Sequence, residues 1–234
     1  MNILIPMGGK GTRFSKEGYR VAKPLINIVG RPMIFRLLDD LAITSADTLW
    51  IGMARELDAE FHLGTRLREE FSQFSLRVVH LDFQTRGAAE TLYIMLQASP
   101  NIGRIANRGL WLRLRTISLD CDTIFFSDVL SEFRRLPAGC GASFYFQDDG
   151  DKPIYSYLRF APGTRDVVDI REKVSISRHA NTGAYGFASG ARLRDVCRAA
   201  LDAPVDRRSG EFYTSALIAR MITDGNRFIG IPVP

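Results

Sequence analysis

Residues 2–14 read NILIPMGGKGTRF, a short apolar segment that runs directly into a glycine-rich loop. An apolar run of this length bounded by glycines is typical of a buried strand. Glycines permit positive φ and allow backbone N–H groups to approach a polyphosphate closely. Two common phosphate loops are excluded: Gly11 stands where a P-loop requires Ser or Thr after Lys10, and Phe14 stands where the dinucleotide fingerprint requires its third glycine.

A second basic element follows at Lys23-Pro24-Leu25. Proline restricts the local backbone and would help to aim the Lys23 ammonium. Only five of the 31 basic residues are lysines, and a lysine supplies a compact point charge. Lys10, Arg13 and Lys23 together would neutralise a triphosphate; the alternative is a tight strand-to-helix turn with solvated basic side chains.

Strand and helix patterns alternate along the chain, which predicts βαβ units, a largely parallel sheet and an α/β fold with three layers. The first half reads as strands at 2–6, 48–53, 76–83 and 116–126 and helices at 31–43, 57–71 and 87–97. The second half reads as strands at 142–147, 154–160, 167–170, 183–187 and 227–231 and helices at 191–201 and 211–223. We expect one domain over 1–234, with a nucleotide-binding half (1–126) and an acceptor-binding half (127–234).

Composition narrows the class of protein. The 234 residues are 46% hydrophobic and 24% charged, and no segment has the length of a membrane span or the pattern of a signal peptide. Three cysteines and three histidines lie far apart, which favours reduced thiols in a cytoplasmic protein and argues against zinc. The net charge of +5 suits an anionic ligand, and no nucleic-acid-binding motif accompanies it.

Residues 3–34 carry a resemblance to a known family. The string ILIPMGGKGTRF, followed by AKPLI and GRPMI, resembles the signature of nucleotidyltransferases of the sugar-1-phosphate and choline-phosphate types, which have a Rossmann-like, GT-A-like fold with a mostly parallel mixed sheet. The resemblance implies transfer of a nucleoside monophosphate from a triphosphate to a phosphorylated acceptor, with release of pyrophosphate and with Mg²⁺ as cofactor. By the same resemblance, Arg13 and Lys23 are catalytic. The loop residues that would bind the nucleotide are Met7, Gly8, Gly9, Gly11 and Thr12.

The segment QTRGAAET at 84–91 is similar to the family's base-binding segment. By that resemblance Gln84 would read the base edge, and Gly87 and Ala88 would adjoin the nucleotide, with Gly87 leaving room for the base. A glutamine amide offers both a donor and an acceptor, so this role is chemically reasonable. The alternative is an ordinary helix N-terminus that contains a glycine.

Two acids end an apolar strand at Asp120-Cys121-Asp122. Carboxylates at this position are costly unless they serve a metal or polar partners, and ligands of open α/β sheets bind at strand ends. By resemblance Asp122 binds Mg²⁺, with Asp120 as a further ligand or a supporting group. The alternative is a pair of turn-capping aspartates. Cys121 is interpreted as a small buried hydrophobic residue.

Two later motifs, Arg-Glu-Lys at 171–173 and Asn-Thr-Gly-Ala-Tyr at 181–185, resemble the acceptor-binding segments of the family. By that resemblance, Lys173 would bind the phosphate of the acceptor, and Glu172 would hydrogen-bond to its hydroxyls or amine. Asn181 and Gly183 would complete the wall of the acceptor-binding site. Without the resemblance, Glu172-Lys173 reads as a solvated surface pair. Glu211 resembles a further family segment, although an acid at a helix start is also favoured by the helix dipole.

This sequence departs from the family pattern at two points. Gly87 and Ala89 come one step early in the base-binding segment, and the second metal ligand that usually follows the last strand is not present here. Either the chain is a truncated domain, or another residue supplies the ligand, with Glu211 and Asp224 as candidates. Two rival functions therefore stay open: a GT-A glycosyltransferase that uses a nucleotide-sugar, and a non-catalytic nucleotide-binding module. The expected partners are a nucleoside triphosphate and a phosphorylated small molecule, with no nucleic acid and no membrane; the base, the acceptor and the oligomeric state stay open.

Overall fold

The computed structural model describes residues 1–9, 11, 14, 16–19, 21–98, 109–203 and 211–234. The strands are β1 (Asn2–Met7), β2 (Asn27–Ile28), β3 (Arg31–Pro32), β4 (Thr48–Ala54), β5 (Leu76–Leu81), β6 (Thr116–Leu119), β7 (Gly141–Gln147), β8 (Ser156–Phe160), β9 (Val167–Glu172), β10 (His179–Phe187) and β11 (Phe228–Pro232). The helices within this part of the chain are α1 (Met33–Asp39), α2 (Arg55–Phe61), α3 (Leu63–Glu70), α4 (Ala88–Gln97), α5 (Val129–Arg135), α6 (Gly190–Asp202) and α7 (Thr214–Thr223). Short 3-10 turns cover Lys23–Leu25 and Trp111–Arg113.

A nine-stranded mixed sheet forms the middle layer, in the order β11-β7-β10-β6-β1-β4-β5, with β8 beside β10 and β9 beside β8. β1 is parallel to both β4 and β6, β4 is parallel to β5, and β11 is parallel to β7. β10 is antiparallel to β6, β7 and β8. The predicted α/β class with a mostly parallel mixed sheet is confirmed.

Two hydrophobic cores cover the two faces of this sheet. Side chains alternate along a strand, so Ile3 and Ile5 of β1 enter one core while Leu4 enters the other. The first core packs against α1, α3 and α5, and the second against α4, α6 and α7. Three layers result, as predicted.

Several predicted elements are shorter or more broken than the sequence pattern indicates. The helix predicted at 31–43 covers only Met33–Asp39, because Arg31–Pro32 pairs with Asn27–Ile28 as strand β3, and the helix predicted at 211–223 begins at Thr214. The helix predicted at 57–71 is two helices, because His62 adopts a left-handed conformation (φ 50°) between α2 and α3. The strand predicted at 116–126 ends at Leu119, because the chain turns at Asp120 toward the sheet edge. No helix in the described ranges is long and apolar enough to cross a membrane.

The carboxyl ends of β1, β5 and β6 meet at one edge of the sheet. β1 lies between β4 and β6, so the order of strands reverses at β1 and leaves a crevice above its end. The glycine-rich loop leaves β1 there, and the segments that follow β5 and β6 leave beside it.

Candidate active site

A cavity of about 1040 Å³ lies at this edge of the sheet and receives residues from both halves of the chain. Its volume is at the upper end of the range for small-molecule sites. Thirteen residues that the sequence predicted for the site line the cavity: Met7, Gly8, Gly9, Gly11, Lys23, Gln84, Gly87, Ala88, Asp120, Asp122, Glu172, Asn181 and Gly183. Thr12 and Arg13 fall outside the described residues, so their roles remain predictions.

The glycine-rich loop is held against the start of α4. A Cβ on Gly8 would lie 2.5 Å from Thr91 Oγ1 and 2.8 Å from Thr85 Oγ1, so only glycine fits there. The two threonine hydroxyls are themselves hydrogen-bonded at 2.8 Å. The Gln84 amide nitrogen donates to the Gly8 carbonyl at 2.7 Å. Gln84 therefore ties the loop to the β5–α4 junction, and its base-reading role stays a prediction.

The structure gives a reason for a glycine at position 87 that differs from the role in base binding that the resemblance implies. Gly87 has a positive φ of 142°, and a Cβ there would lie 2.6 Å from the Phe212 carbonyl oxygen. The Phe212 N–H donates to the Arg86 carbonyl at 2.9 Å, and its carbonyl accepts from the Ala89 N–H at 3.0 Å. The space that this glycine leaves is thus filled by the protein's own backbone, although Gly87 still borders the cavity.

Lys23, a cation of the cavity wall, forms an ion pair with Asp122. Lys23 Nζ lies 2.6 Å from Asp122 Oδ2, and about a quarter to a third of each side chain is exposed. Burial alone would lower the pKa of Lys23, but the charge of the neighbouring Asp122 and its hydrogen bond to the ammonium outweigh burial and raise the pKa. The lysine is therefore a permanent positive charge at the end of β6. Burial raises the pKa of the Cys121 thiol to about 12, which excludes a thiolate nucleophile at neutral pH.

Asp120 is the more buried of the two acids. Burial, together with the negative charges of Asp122 and Glu172, raises the pKa of its carboxyl to about 7. A Cβ on Gly183 would lie 2.7 Å from Asp120 Oδ2, so the two residues are in direct contact. Within the described ranges, no hydrogen bond or ion pair engages the Asp120 carboxylate. A carboxylate in this state suits a divalent cation.

The carboxylates of Asp120 and Asp122 suit Mg²⁺ better than they suit a metal whose ligands all come from the protein. The described residues contain no cluster of three or more His, Cys, Asp or Glu side chains able to hold a metal. Mg²⁺ usually takes one or two carboxylates and completes its shell with water and substrate phosphates. Asp120 and Asp122 supply two such carboxylates at the cavity wall.

The acceptor half contributes a third carboxylate. Glu172 Oε2 accepts hydrogen bonds from Ser156 Oγ at 2.5 Å and from Ser215 Oγ at 2.9 Å, which orient the side chain at the cavity. Lys173 has a left-handed backbone (φ 53°), and its ammonium donates to the Tyr213 hydroxyl at 3.0 Å. Lys173 thus contacts a residue of the cavity wall but does not itself line the described cavity. The Lys173 side chain would have to move into the cavity to bind the acceptor phosphate as predicted.

The two candidate substitutes for the missing metal ligand are in different places. Glu211 lines the cavity and hydrogen-bonds with Tyr213. Asp224 pairs with Arg192 and Arg220 away from the cavity, so it is not positioned as a ligand. The late helix starts at Thr214 and not at Glu211, so the helix dipole does not explain Glu211.

Sequence reasoning missed several residues of the site. Tyr185 is buried beside Asp120 and Glu172, whose charges together with burial raise the pKa of its hydroxyl well above the usual value. Ser156 and Ser215 hold Glu172. Tyr185 lies in the Asn-Thr-Gly-Ala-Tyr segment that the sequence singled out, but the two serines carry no sequence signal because their neighbours come from distant segments.

Solved structures resemble this fold over almost its whole length. A nucleoside-diphosphate-sugar pyrophosphorylase from Vibrio cholerae RC9 has a TM-score of 0.72 and 22% identity, with 99% of this chain and 91% of that chain covered. A candidate glucose-1-phosphate thymidylyltransferase from Bacillus anthracis, in complex with a sucrose, has a TM-score of 0.72 and 18% identity over 100% of this chain and 86% of that one. A UDP-glucose pyrophosphorylase complexed with UDP-glucose has a TM-score of 0.71 and 14% identity over 99% and 90%.

No protein-family model and no curated protein matches the sequence. At identities of 14–22%, the likeness to these solved structures shows the fold alone. The chain has the fold of the nucleotide-sugar pyrophosphorylases, which agrees with the resemblance seen in residues 3–34.

Proposed function

We propose that this protein is a nucleotidyltransferase that transfers a nucleoside monophosphate from a triphosphate to a phosphorylated acceptor, of the sugar 1-phosphate class, and releases pyrophosphate. One observation carries the proposal: a single cavity joins the glycine-rich loop, the Lys23–Asp122 pair and Asp120 to Glu172 and Gly183 of the second half. The fold of the solved neighbours and the names of two of them support the same substrate class.

The proposed reaction is an in-line attack by an acceptor phosphate oxygen on the α-phosphorus of the triphosphate. The bond from the α-phosphorus to the bridging oxygen breaks, and pyrophosphate leaves with the electron pair. The attacking oxygen is already ionised, so no general base is required. The work of the protein is to position the reactants and to stabilise charge.

The residues of the chain divide this work. The Gly8–Gly9 backbone would approach the phosphates, and Lys23 would move from Asp122 to the negative charge that develops there. Glu172, oriented by Ser156 and Ser215, would accept hydrogen bonds from the acceptor. Mg²⁺, when held by Asp120 and Asp122, would add positive charge beside the phosphate oxygens.

Ligand-induced stabilisation tests the nucleotide half of the proposal. Each of the four ribonucleoside triphosphates and dTTP is added with and without Mg²⁺, and the thermal unfolding transition is recorded. A ligand at about 100 times its Kd adds about 2.7 kcal/mol to the free energy of unfolding. No shift with any triphosphate on folded protein would overturn the proposal.

Pyrophosphate release tests the reaction itself. The stabilising triphosphate is combined with a panel of sugar 1-phosphates and aminoalkyl phosphates, and pyrophosphate is measured by a coupled assay. Release that depends on one acceptor supports the proposal. Binding of a nucleotide-sugar with glycosyl transfer and no pyrophosphate would favour a glycosyltransferase, and binding without turnover on any acceptor would favour a non-catalytic module.

A further inference from the structure

Strand β10 departs from regular pairing next to the candidate metal site. Asn181 is opposite Tyr145 of β7, and Tyr185 is opposite Ser143. Three residues of β10 therefore face the single residue Phe144 of β7, so β10 carries a bulge at 182–184. Bulges are over-represented beside active sites, where they redirect the backbone.

The bulge forms the surface against which Asp120 lies. The Asp120 N–H donates to the Gly183 carbonyl at 2.8 Å, and a Cβ on Gly183 would lie 2.7 Å from Asp120 Oδ2. Gly183 has a positive φ of 87°. The backbone position of Gly183 therefore determines where the Asp120 carboxylate points.

The side chain of Asn181 holds this bulge together. Its Oδ1 accepts from the Gly183 N–H at 2.6 Å, and its Nδ2 donates to Ser143 Oγ at 2.6 Å and to the Ala184 carbonyl at 3.4 Å. Asn181 is only 4% exposed. Both ends of the amide are thus engaged with the protein, although a small part of the residue borders the cavity.

We infer that Asn181 is a positioning residue for Asp120, acting through Gly183, and not a contact for the acceptor. The amide replaces the ladder hydrogen bonds that β10 loses at the bulge, and it keeps the Gly183 backbone in contact with the carboxylate. This inference rests on the proposed function in so far as Asp120 serves a divalent cation there. It differs from the role in the acceptor wall that the family resemblance implies for Asn181, and the kinetic test below distinguishes the two roles.

Two variants separate positioning from a general structural role. Both Asn181→Ala and Ser143→Ala remove the buried Asn181–Ser143 hydrogen bond, but only Asn181→Ala frees the Gly183 N–H. Mn²⁺ alone is the probe, and its binding is measured by electron paramagnetic resonance. We expect Asn181→Ala to weaken Mn²⁺ binding at least tenfold and Ser143→Ala to change it less than threefold. Equal affinities of the wild type and Asn181→Ala, equal losses in both variants, or no Mn²⁺ binding by the wild type would overturn the inference.

A conservative variant covers the case in which Asn181→Ala does not fold. Asn181→Asp keeps an oxygen for the Gly183 N–H, and the Ser143 hydroxyl can turn to donate to the second carboxylate oxygen, so that only the long contact with the Ala184 carbonyl is lost. The added negative charge attracts a cation, so we expect Mn²⁺ binding at least as tight as that of the wild type. Weaker binding would overturn the inference.

Kinetics supply a readout that depends on the reaction. With the triphosphate and acceptor found by the pyrophosphate assay, Asn181→Ala should lower kcat at least tenfold and leave the acceptor KM within twofold. A raised acceptor KM with unchanged kcat would place Asn181 against the acceptor and overturn the inference. If the wild type releases no pyrophosphate with any pair, the proposed function fails, and the Mn²⁺ comparison still decides the role of Asn181.

Discussion

Lys23 is the residue on which the proposed charge stabilisation depends most. The Lys23→Met variant keeps the length of the side chain and removes the charge, and removal of one charge-stabilising donor typically costs about 10²–10³-fold in kcat. We expect a loss of this size in pyrophosphate release. Lys152→Met is the matched control, because Lys152 is exposed and is not one of the residues that line the cavity. Turnover of Lys23→Met within fivefold of the control would refute the catalytic role.

Asp120 predicts a pH dependence of stability. Its pKa is raised from 3.8 to about 7 in the folded protein, so its contribution to stability is fully present below pH 3.8 and is lost as the pH rises through 7. Asp120→Asn has no charge to bury, so its stability relative to the wild type should increase from pH 5 to pH 8. Urea denaturation in metal-free buffer measures the difference. A difference that is constant over this pH range would contradict the raised pKa.

At the residue scale, local motifs predicted much of the cavity lining. The glycine-rich loop, Lys23, Asp120 and Asp122 lie in short stretches whose spacing has a chemical meaning, and the structure brings those described together around one cavity. Phe212 could not be predicted as the neighbour of Gly87, because that contact forms between segments 125 residues apart. Such a contact depends on how α7 packs and leaves no mark in the local sequence.

Among the elements, the junction before α4 is sensitive to the size of one residue. Gly87→Ala places a methyl group 2.6 Å from the Phe212 carbonyl oxygen at a positive φ, and backbone strain of this kind costs about 1 to 3 kcal/mol. We expect the melting temperature to fall. Gly9→Ala is the control, because its Cβ would meet nothing within 4 Å. Equal melting temperatures of the two variants would refute the proposed packing of Phe212.

At the break between α2 and α3, a substitution is expected to stabilise the protein. His62 is exposed and left-handed (φ 50°), a conformation that costs an L-residue with a Cβ roughly 1 to 2 kcal/mol. His62→Gly removes that strain but gains chain entropy when unfolded, so we expect a net gain of up to about 1 kcal/mol. His62→Ala keeps the Cβ and should show no gain. Urea denaturation of the wild type, His62→Gly and His62→Ala measures these differences. A loss of stability in His62→Gly would contradict the expected backbone strain at His62.

Element types were easier to predict than element ends. Apolar periodicity continues from Leu57 through Phe61 and Leu63, and the one local sign of a break near His62 is Gly64, which a helix interior tolerates at a modest cost. Likewise, the apolar residues at 124–126 extend the strand pattern beyond Asp122, yet Phe126 is 89% exposed. β6 ends at Leu119 because the chain turns at Asp120, whose carbonyl accepts from the Thr123 N–H, and the apolar pattern carries no sign of this turn.

For the molecule as a whole, the two predicted halves form one sheet and share both cores. β10 of the second half lies between β6 of the first and β7 of the second, and Phe133 and Phe144 belong to the same core as Ile3. We therefore expect a fragment of residues 1–126 to lack a cooperative thermal transition. Near-ultraviolet circular dichroism during heating provides the measurement. A cooperative transition in the isolated fragment would show that the first half folds independently.

The alternation of strands and helices predicted the parallel part of this sheet, since βαβ connections place successive strands side by side. It did not predict the insertion of antiparallel β10 between β6 and β7. That placement brings Gly183 to Asp120, and β9, which pairs with β8 on the far side from β10, ends at Glu172. The acceptor half of the site therefore depends on topology that no local pattern encodes.

The ion pair of Lys23 with Asp122 makes the two expected ligands of the cavity cooperative. A free divalent cation has to compete with the Lys23 ammonium for Asp122, and a free triphosphate has to compete with Asp122 for Lys23. Whichever binds first releases the group that the other needs, so each should raise the affinity for the other by the same factor. The proposed enzyme would therefore take up the metal-bound triphosphate in preference to either component alone.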